Sequence, residues 1–188
     1  MKIVDINFDL NRLIQLARNK DRQAQSAIYK KFSPKMFSVC RQYLKDEQKA
    51  EDILVTAFMK VFTHIDKYEQ NGSFEGWMRR IMVNECISYL RVNKKIYYTE
   101  EENFKEESSN DIEIQSSVEE IQTMIDSLPE GCKMVFNLYA IDGYKHKEIA
   151  EMLEIEEGTS KSQLAYARKM LQTMITASNN LKNGTQNR

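Results

Sequence analysis

Apolar residues recur along most of this 188-residue chain at intervals of three and four, and no stretch alternates apolar and polar between turn signals. That is the pattern of amphipathic helices. Leu10, Leu13, Ile14 and Ala17 predict a first helix, and Ala24, Ala27 and Ile28 a second over about 21–32. Pro34 fits the start of a third, with Met36, Phe37, Cys40 and Leu44 inward. The clearest stripe, Leu54, Phe58, Val61, Phe62 and Ile65, spans about 50–67, with Glu51 and Asp52 placed where carboxylates complement the helix dipole. A turn-rich loop, 68–73, follows. Ser73 is the expected N-cap of a helix over about 74–92 that buries Trp77, Ile81 and Leu90 and turns Arg79, Arg80 and Arg91 elsewhere.

From about 94 to 117 the chain is polar, with too few apolar anchors to offset its ordering entropy. Helical spacing resumes near Val118 with Ile121, Met124, Ile125 and Leu128, and stops at Pro129. Another helix, over about 130–141, ends at Asp142-Gly143. The expected architecture is all-α: two small helical domains, 1–95 and 118–178, joined by a flexible acidic linker, 96–117, and followed by a disordered tail, 179–188.

Composition narrows the function. Apolar residues at 41% allow packed cores, and charged residues at 29% keep the chain soluble. No window approaches the roughly 18 apolar residues of a membrane helix, and the N-terminus lacks an export signal, so the expected location is cytoplasmic. Cys40, Cys86 and Cys132 are scattered singly and read as reduced, buried thiols. The two histidines, His64 and His146, lie near no cysteine, and no phosphate-cradling loop or carboxylate pair appears. No catalytic group, metal or cofactor is expected, and the chain does not read as an enzyme. His146 is expected on the outward side of a short helix, as a surface residue or phosphate contact.

The net charge of -1 hides an asymmetry. Residues 20–98 carry fifteen Lys/Arg against nine Asp/Glu, and residues 99–120 carry nine acids against Lys105 alone. Beyond Gly158 there are Lys161, Arg168, Lys169, Lys182 and Arg188 and no acid. Two basic regions flanking an acidic connector suit a polyanion contacted at two places.

The most informative stretch is 143–175. A short helix, 145–153, faces Ile149, Ala150 and Leu153 inward. A tight turn over 154–158 follows, with Ile155 as its inward apolar plug, and then a long helix with Leu164, Ala167, Leu171 and Ile175 inward. This is helix-turn-helix geometry, whose second helix enters the major groove. Lys161, Gln163, Tyr166 and Lys169 are read on its outward side, with Ser162 near the leading end and Thr159 as cap and phosphate contact. Gln suits adenine, Lys guanine or phosphate, and Ser either.

With these residues in view, the chain resembles the extracytoplasmic-function sigma factors of the sigma-70 family. Ala50-Glu51-Asp52-Ile53-Leu54, with Phe58 and Phe62, is similar to the family's polymerase-binding helix. Gly72-Ser73-Phe74-Glu75-Gly76-Trp77-Met78-Arg79-Arg80-Ile81, with Asn84, resembles its promoter-melting segment. Leu128-Pro129, 143–150, Glu157-Gly158-Thr159, Ser162 and Ala167-Arg168 resemble its second promoter-reading domain. The likeness covers about 20–177, in order.

The resemblance implies that Asp52, Val55, Thr56, Met59 and Lys60 dock on core RNA polymerase. It implies that Tyr68, Asn71, Ser73, Trp77, Arg80, Asn84, Arg91, Lys94 and Lys95 engage the minus-ten element, capturing a flipped base and tracking the single strand. Trp77 also reads as a core residue bracing its helix. Lys147, Thr159, Lys161, Ser162, Gln163, Tyr166, Arg168 and Lys169 then read the minus-thirty-five duplex. The linker either occupies polymerase's nucleic-acid path as a polyanion mimic or stays extended and soluble. An anti-sigma protein, often membrane-anchored in this family, is a further implied partner. Val55 and Thr56 replace a usual Gln and acid, and Ser160 a usual apolar residue. The competing reading is a stand-alone dimeric helix-turn-helix regulator, which leaves the Glu51-Asp52 helix and the Trp77 segment unexplained.

Overall fold

The computed structural model describes residues 6–69, 71–93 and 117–185, which are helical with no strand among them. Their contacts separate into two compact units, divided after Asn93. The bulk of the connector, with Lys94 and Lys95, lies outside the described residues.

The first unit holds α1 (Ile6–Arg18), α2 (Arg22–Tyr43), α3 (Glu47–Thr63), a 3-10 turn (Ile65–Lys67) and α4 (Phe74–Asn93). Side-chain oxygens set the helix starts. Asp21 accepts from the Ala24 amide at 2.8 Å and Asp46 from the Lys49 amide at 3.0 Å. Ser73 Oγ accepts from the Gly76 amide at 3.0 Å, as its N-cap reading requires.

Two expectations change here. The helices placed on either side of Pro34 are one, because α2 passes through the proline. A helix-interior proline costs about 3 kcal/mol. Ala24, Ile28, Phe32, Met36, Val39, Cys40 and Tyr43 are all buried along α2, on both sides of Pro34. Each large member stabilises by about 1.5–3 kcal/mol, so the continuous stripe outweighs the break. In α4 the buried positions are Phe74, Met78, Met82, Val83, Cys86, Ile87 and Leu90, whereas Trp77 and Ile81 are only half-buried. The core face is rotated by one residue toward α2 and α3, against both of which α4 packs. Within that core the Cys86 thiol hydrogen-bonds Cys40 and holds the Cys40 thiol below its ordinary pKa, against the opposing effect of burial.

The second unit holds α5 (Val118–Ser127), α6 (Glu130–Phe136), a π-helical turn (Asn137–Ile141), α7 (His146–Leu153) and α8 (Glu157–Thr185). Ser117 and Glu120 cap α5 reciprocally, at 3.2 and 3.1 Å. The single helix expected over 130–141 widens at its end, where Asp142 N donates to Asn137 O at 3.0 Å. Gly143, at φ +75, then ends it as expected. Ile125, Leu128, Cys132, Ala167 and Leu171 form a buried cluster, with Ile121, Met124, Phe136, Tyr166 and Met170 packed against it. The tail reading is corrected over most of its length: α8 continues to Thr185, and Lys182 Nζ reaches Glu120 Oε2 at 2.6 Å.

Candidate nucleic-acid interface

Helices α7 and α8 are joined through Glu154, which adopts the left-handed conformation (φ 56, ψ 46). The tight turn is therefore made by Glu154 and not by Gly158, which sits inside α8. One residue held this way costs about 1–2 kcal/mol. The turn is closed by Ile155 N donating to Ala150 O at 3.1 Å, and half-buried Ile155 is the plug expected there.

Of the residues expected to read the duplex from α8, Lys161, Arg168 and Lys169 are exposed, as is Lys147 on α7. Two others are corrected. Gln163 is buried, and its Oε1 accepts from Cys132 Sγ at 2.8 Å. Tyr166 is half-buried against the cluster around Ile125 and Leu128. Nor is Thr159 the cap, because α8 begins at Glu157 and Ser160 N bonds Glu156 O at 3.1 Å. Thr159 is in the first turn, and its carbonyl accepts the half-buried Ser162 hydroxyl at 3.0 Å.

His146 is also more than a surface residue. Half-buried, it places Nδ1 2.9 Å from the Oγ of buried Ser160 and stacks on Tyr139 at 4.6 Å, while the Arg168 guanidinium lies 5.6 Å from the same tyrosine ring. A polar contact thus seats Ser160 at the start of α8. At that start Lys161 Nζ pairs with Glu157 Oε1 at 2.7 Å. The hydrogen bond and charge of Lys161, with help from His146 and Lys147, hold the Glu157 carboxyl below its ordinary pKa.

In the first unit, Tyr68 is buried and its hydroxyl donates to Gly72 O at 2.8 Å. Its ring meets Phe74 edge-on at 5.1 Å and lies 5.7 Å from Trp77, which stacks on Phe74 at 5.6 Å. Tyr68 is therefore a strut for the loop, a correction to its reading as a DNA-contacting ring. Gly72, at φ +107, needs to be glycine, and a Cβ on Gly76 would lie 3.0 Å from Ser73 Oγ. Asn71, Ser73, Arg80, Asn84 and Arg91 are exposed, and the last three share one side of α4 at 3.6 residues per turn. Tyr68→Phe should lower the stability of this unit by roughly 1 kcal/mol. Urea unfolding followed by Trp77 fluorescence measures it, and an unchanged midpoint would disprove the strut.

On α3 the residues Asp52, Val55, Thr56, Met59 and Lys60 are all exposed on one face, with Val55 at 54% and Met59 at 66%. Thr56 folds its hydroxyl back to Asp52 O at 2.9 Å, and Lys60 Nζ pairs with Glu85 Oε1 at 2.6 Å.

The profile of Sigma-70 region 2 matches residues 28–96, and that of Sigma-70, region 4 matches residues 118–171. This chain belongs to the sigma-70 family. Within that family it is an extracytoplasmic-function sigma factor, a protein of transcription initiation. The sigma factor SigW of Bacillus subtilis is 26% identical over 183 residues, covering 88% of this chain and 96% of SigW. The sigma-E factor of Escherichia coli is 26% identical over 177 residues, covering 87% and 92%. Among solved structures, RpoE of Bartonella quintana in complex with the anti-sigma factor NepR shows 18% identity and a TM-score of 0.49, covering 80% of this chain and 96% of that one. CnrH in complex with the cytosolic domain of CnrY gives 16% and 0.48, covering 88% and 96%. No described helix of this sigma factor is long and apolar enough to cross a membrane.

One functional candidate escaped the sequence reading. Arg18 bonds backbone oxygens of Ile65 and Tyr68, 47 and 50 residues away, and no local pattern announces such a pairing.

Proposed function

We propose that this sigma factor docks on core RNA polymerase through the exposed α3 face and selects promoters with both units. In this reading Lys147, Lys161, Arg168 and Lys169 engage the upstream element as duplex, with the Thr159 amide and the Ser162 hydroxyl at the leading end of α8. The loop residues Asn71 and Ser73, with Trp77, Arg80, Asn84 and Arg91, receive the unpaired non-template strand of the minus-ten element. Polymerase supplies the chemistry and this chain the address. The carrying observation is that the two family regions match in order, on two units that each expose basic side chains beside a helix start or loop.

The exposed apolar pair Val55 and Met59 suits a protein partner, and an anti-sigma protein would act by covering it. The nine acids between 99 and 120 suit polymerase's basic nucleic-acid channel.

Run-off transcription with purified core polymerase tests the reading. The chain is expected to bind core and confer start-site selection on a genomic promoter; failure of both ends the proposal. Tight shifting of short duplexes without polymerase would favour the dimeric regulator instead. Lys161→Ala should weaken binding of the holoenzyme to the upstream duplex by up to about tenfold and reduce the salt slope of log K by about 1, since one phosphate then goes unneutralised. A filter-binding titration across salt concentrations reads both, and an unchanged slope would remove Lys161 from the interface.

A further inference from the structure

Arg18 closes the last turn of α1 and is half-buried. Its Nε donates to Ile65 O at 3.4 Å and its Nη2 donates to Tyr68 O. These two carbonyls bracket the 3-10 turn that leaves α3, whose own closure is Tyr68 N to Ile65 O at 3.2 Å. A guanidinium fork across the carbonyl end of a helical turn supplies donors and charge where the backbone dipole is negative.

What Arg18 holds is the residue on which the loop depends. Tyr68 fastens Gly72 with its hydroxyl and packs its ring on Phe74 and beside Trp77, at the start of α4. The main chain of Tyr68 is pinned from α1 and its side chain pins the far end of the loop. The seat of α1 does not require Arg18. Ile14 and Ala17 are each 1% exposed, and Lys20, at φ +61, ends the helix with Asp21 N donating to Leu16 O at 3.1 Å.

We propose that Arg18 is a positioning residue for capture of the unpaired promoter strand: it sets the backbone of Tyr68, and through it the loop entering α4, without touching DNA. This rests on the reading of that loop as the minus-ten binding segment.

The test uses the full chain bound to core polymerase. Its probe is a labelled non-template oligonucleotide from a promoter selected out of a random duplex library by the unmodified holoenzyme. Arg18→Gln should weaken oligonucleotide binding about tenfold, the equivalent of one hydrogen bond to a charged group. Core affinity and upstream-duplex affinity should stay unchanged, the unfolding midpoint should fall no further than in Tyr68→Phe, and Arg18→Lys, which keeps the charge but not the fork, should recover part of the loss. Oligonucleotide binding unaltered by Arg18→Gln overturns the proposal. So does a parallel fall in every readout with early unfolding, which would make Arg18 a plain structural brace. Equal binding of selected and scrambled oligonucleotides by the unmodified holoenzyme would instead remove the minus-ten reading itself, and the proposal with it.

Discussion

Gln163→Glu is expected to unfold the C-terminal unit while the N-terminal unit stays folded. Gln163 is 2% exposed and its amide oxygen accepts the Cys132 thiol, itself 0% exposed. A carboxylate there would be desolvated and would face a thiol, a weak donor, at a cost of several kcal/mol. A helical unit of this size has only a few kcal/mol of net stability. Duplex binding should then fall by more than about 100-fold, because the unit whose α8 is proposed to meet DNA would no longer be folded. Two-stage thermal unfolding by circular dichroism separates the units, and only the C-terminal one should lose its transition. Lys161→Ala, at an exposed position, should leave both transitions in place. A folded Gln163→Glu protein with altered preference at one base pair would return Gln163 to the DNA surface and refute this.

The second large effect concerns docking. Met59→Glu should lower affinity for core polymerase at least about 30-fold, as truncated or charged anchors at interface centres commonly cost about 2 kcal/mol or more. Met59 is 66% exposed and sits one turn from Val55, 54% exposed, so the change should leave folding untouched. Fluorescence anisotropy with labelled chain measures the affinity directly. Unchanged core affinity would move the docking surface off this face of α3. The prediction separates from the first because upstream-duplex binding by the second unit should be intact.

Much of this was readable in the chain. The helical period, the caps at Ser73 and around Gly143, the Ile155 plug and the exposed Lys161 and Lys169 all follow from local spacing. The misreadings share a cause. Periodicity places a residue on a helix face to within about a quarter turn, so it could not decide whether α4 buries Trp77 and Ile81 or Met78 and Met82. The same uncertainty put Gln163 and Tyr166 outside, because polar or amphipathic side chains near a basic stripe look solvent-facing until a neighbouring helix claims them. Cys132 claimed Gln163, and the cluster around Ile125 and Leu128 claimed Tyr166.

By itself, then, the sequence determined the all-helical class, the two basic regions around an acidic connector and the residue types on the two helices read as facing DNA, since these depend on interactions within a few residues. Only the tertiary structure decided that α2 runs through Pro34, that Ser160 is satisfied by His146 and that Arg18 holds Tyr68. Each depends on burial or hydrogen bonding with partners outside its own short stretch of chain, where local propensity carries no information and packing sets the outcome. Of the two regions read as facing DNA, one therefore exposes fewer of its expected side chains, and the loop of the other is bonded by an arginine that the sequence did not point to.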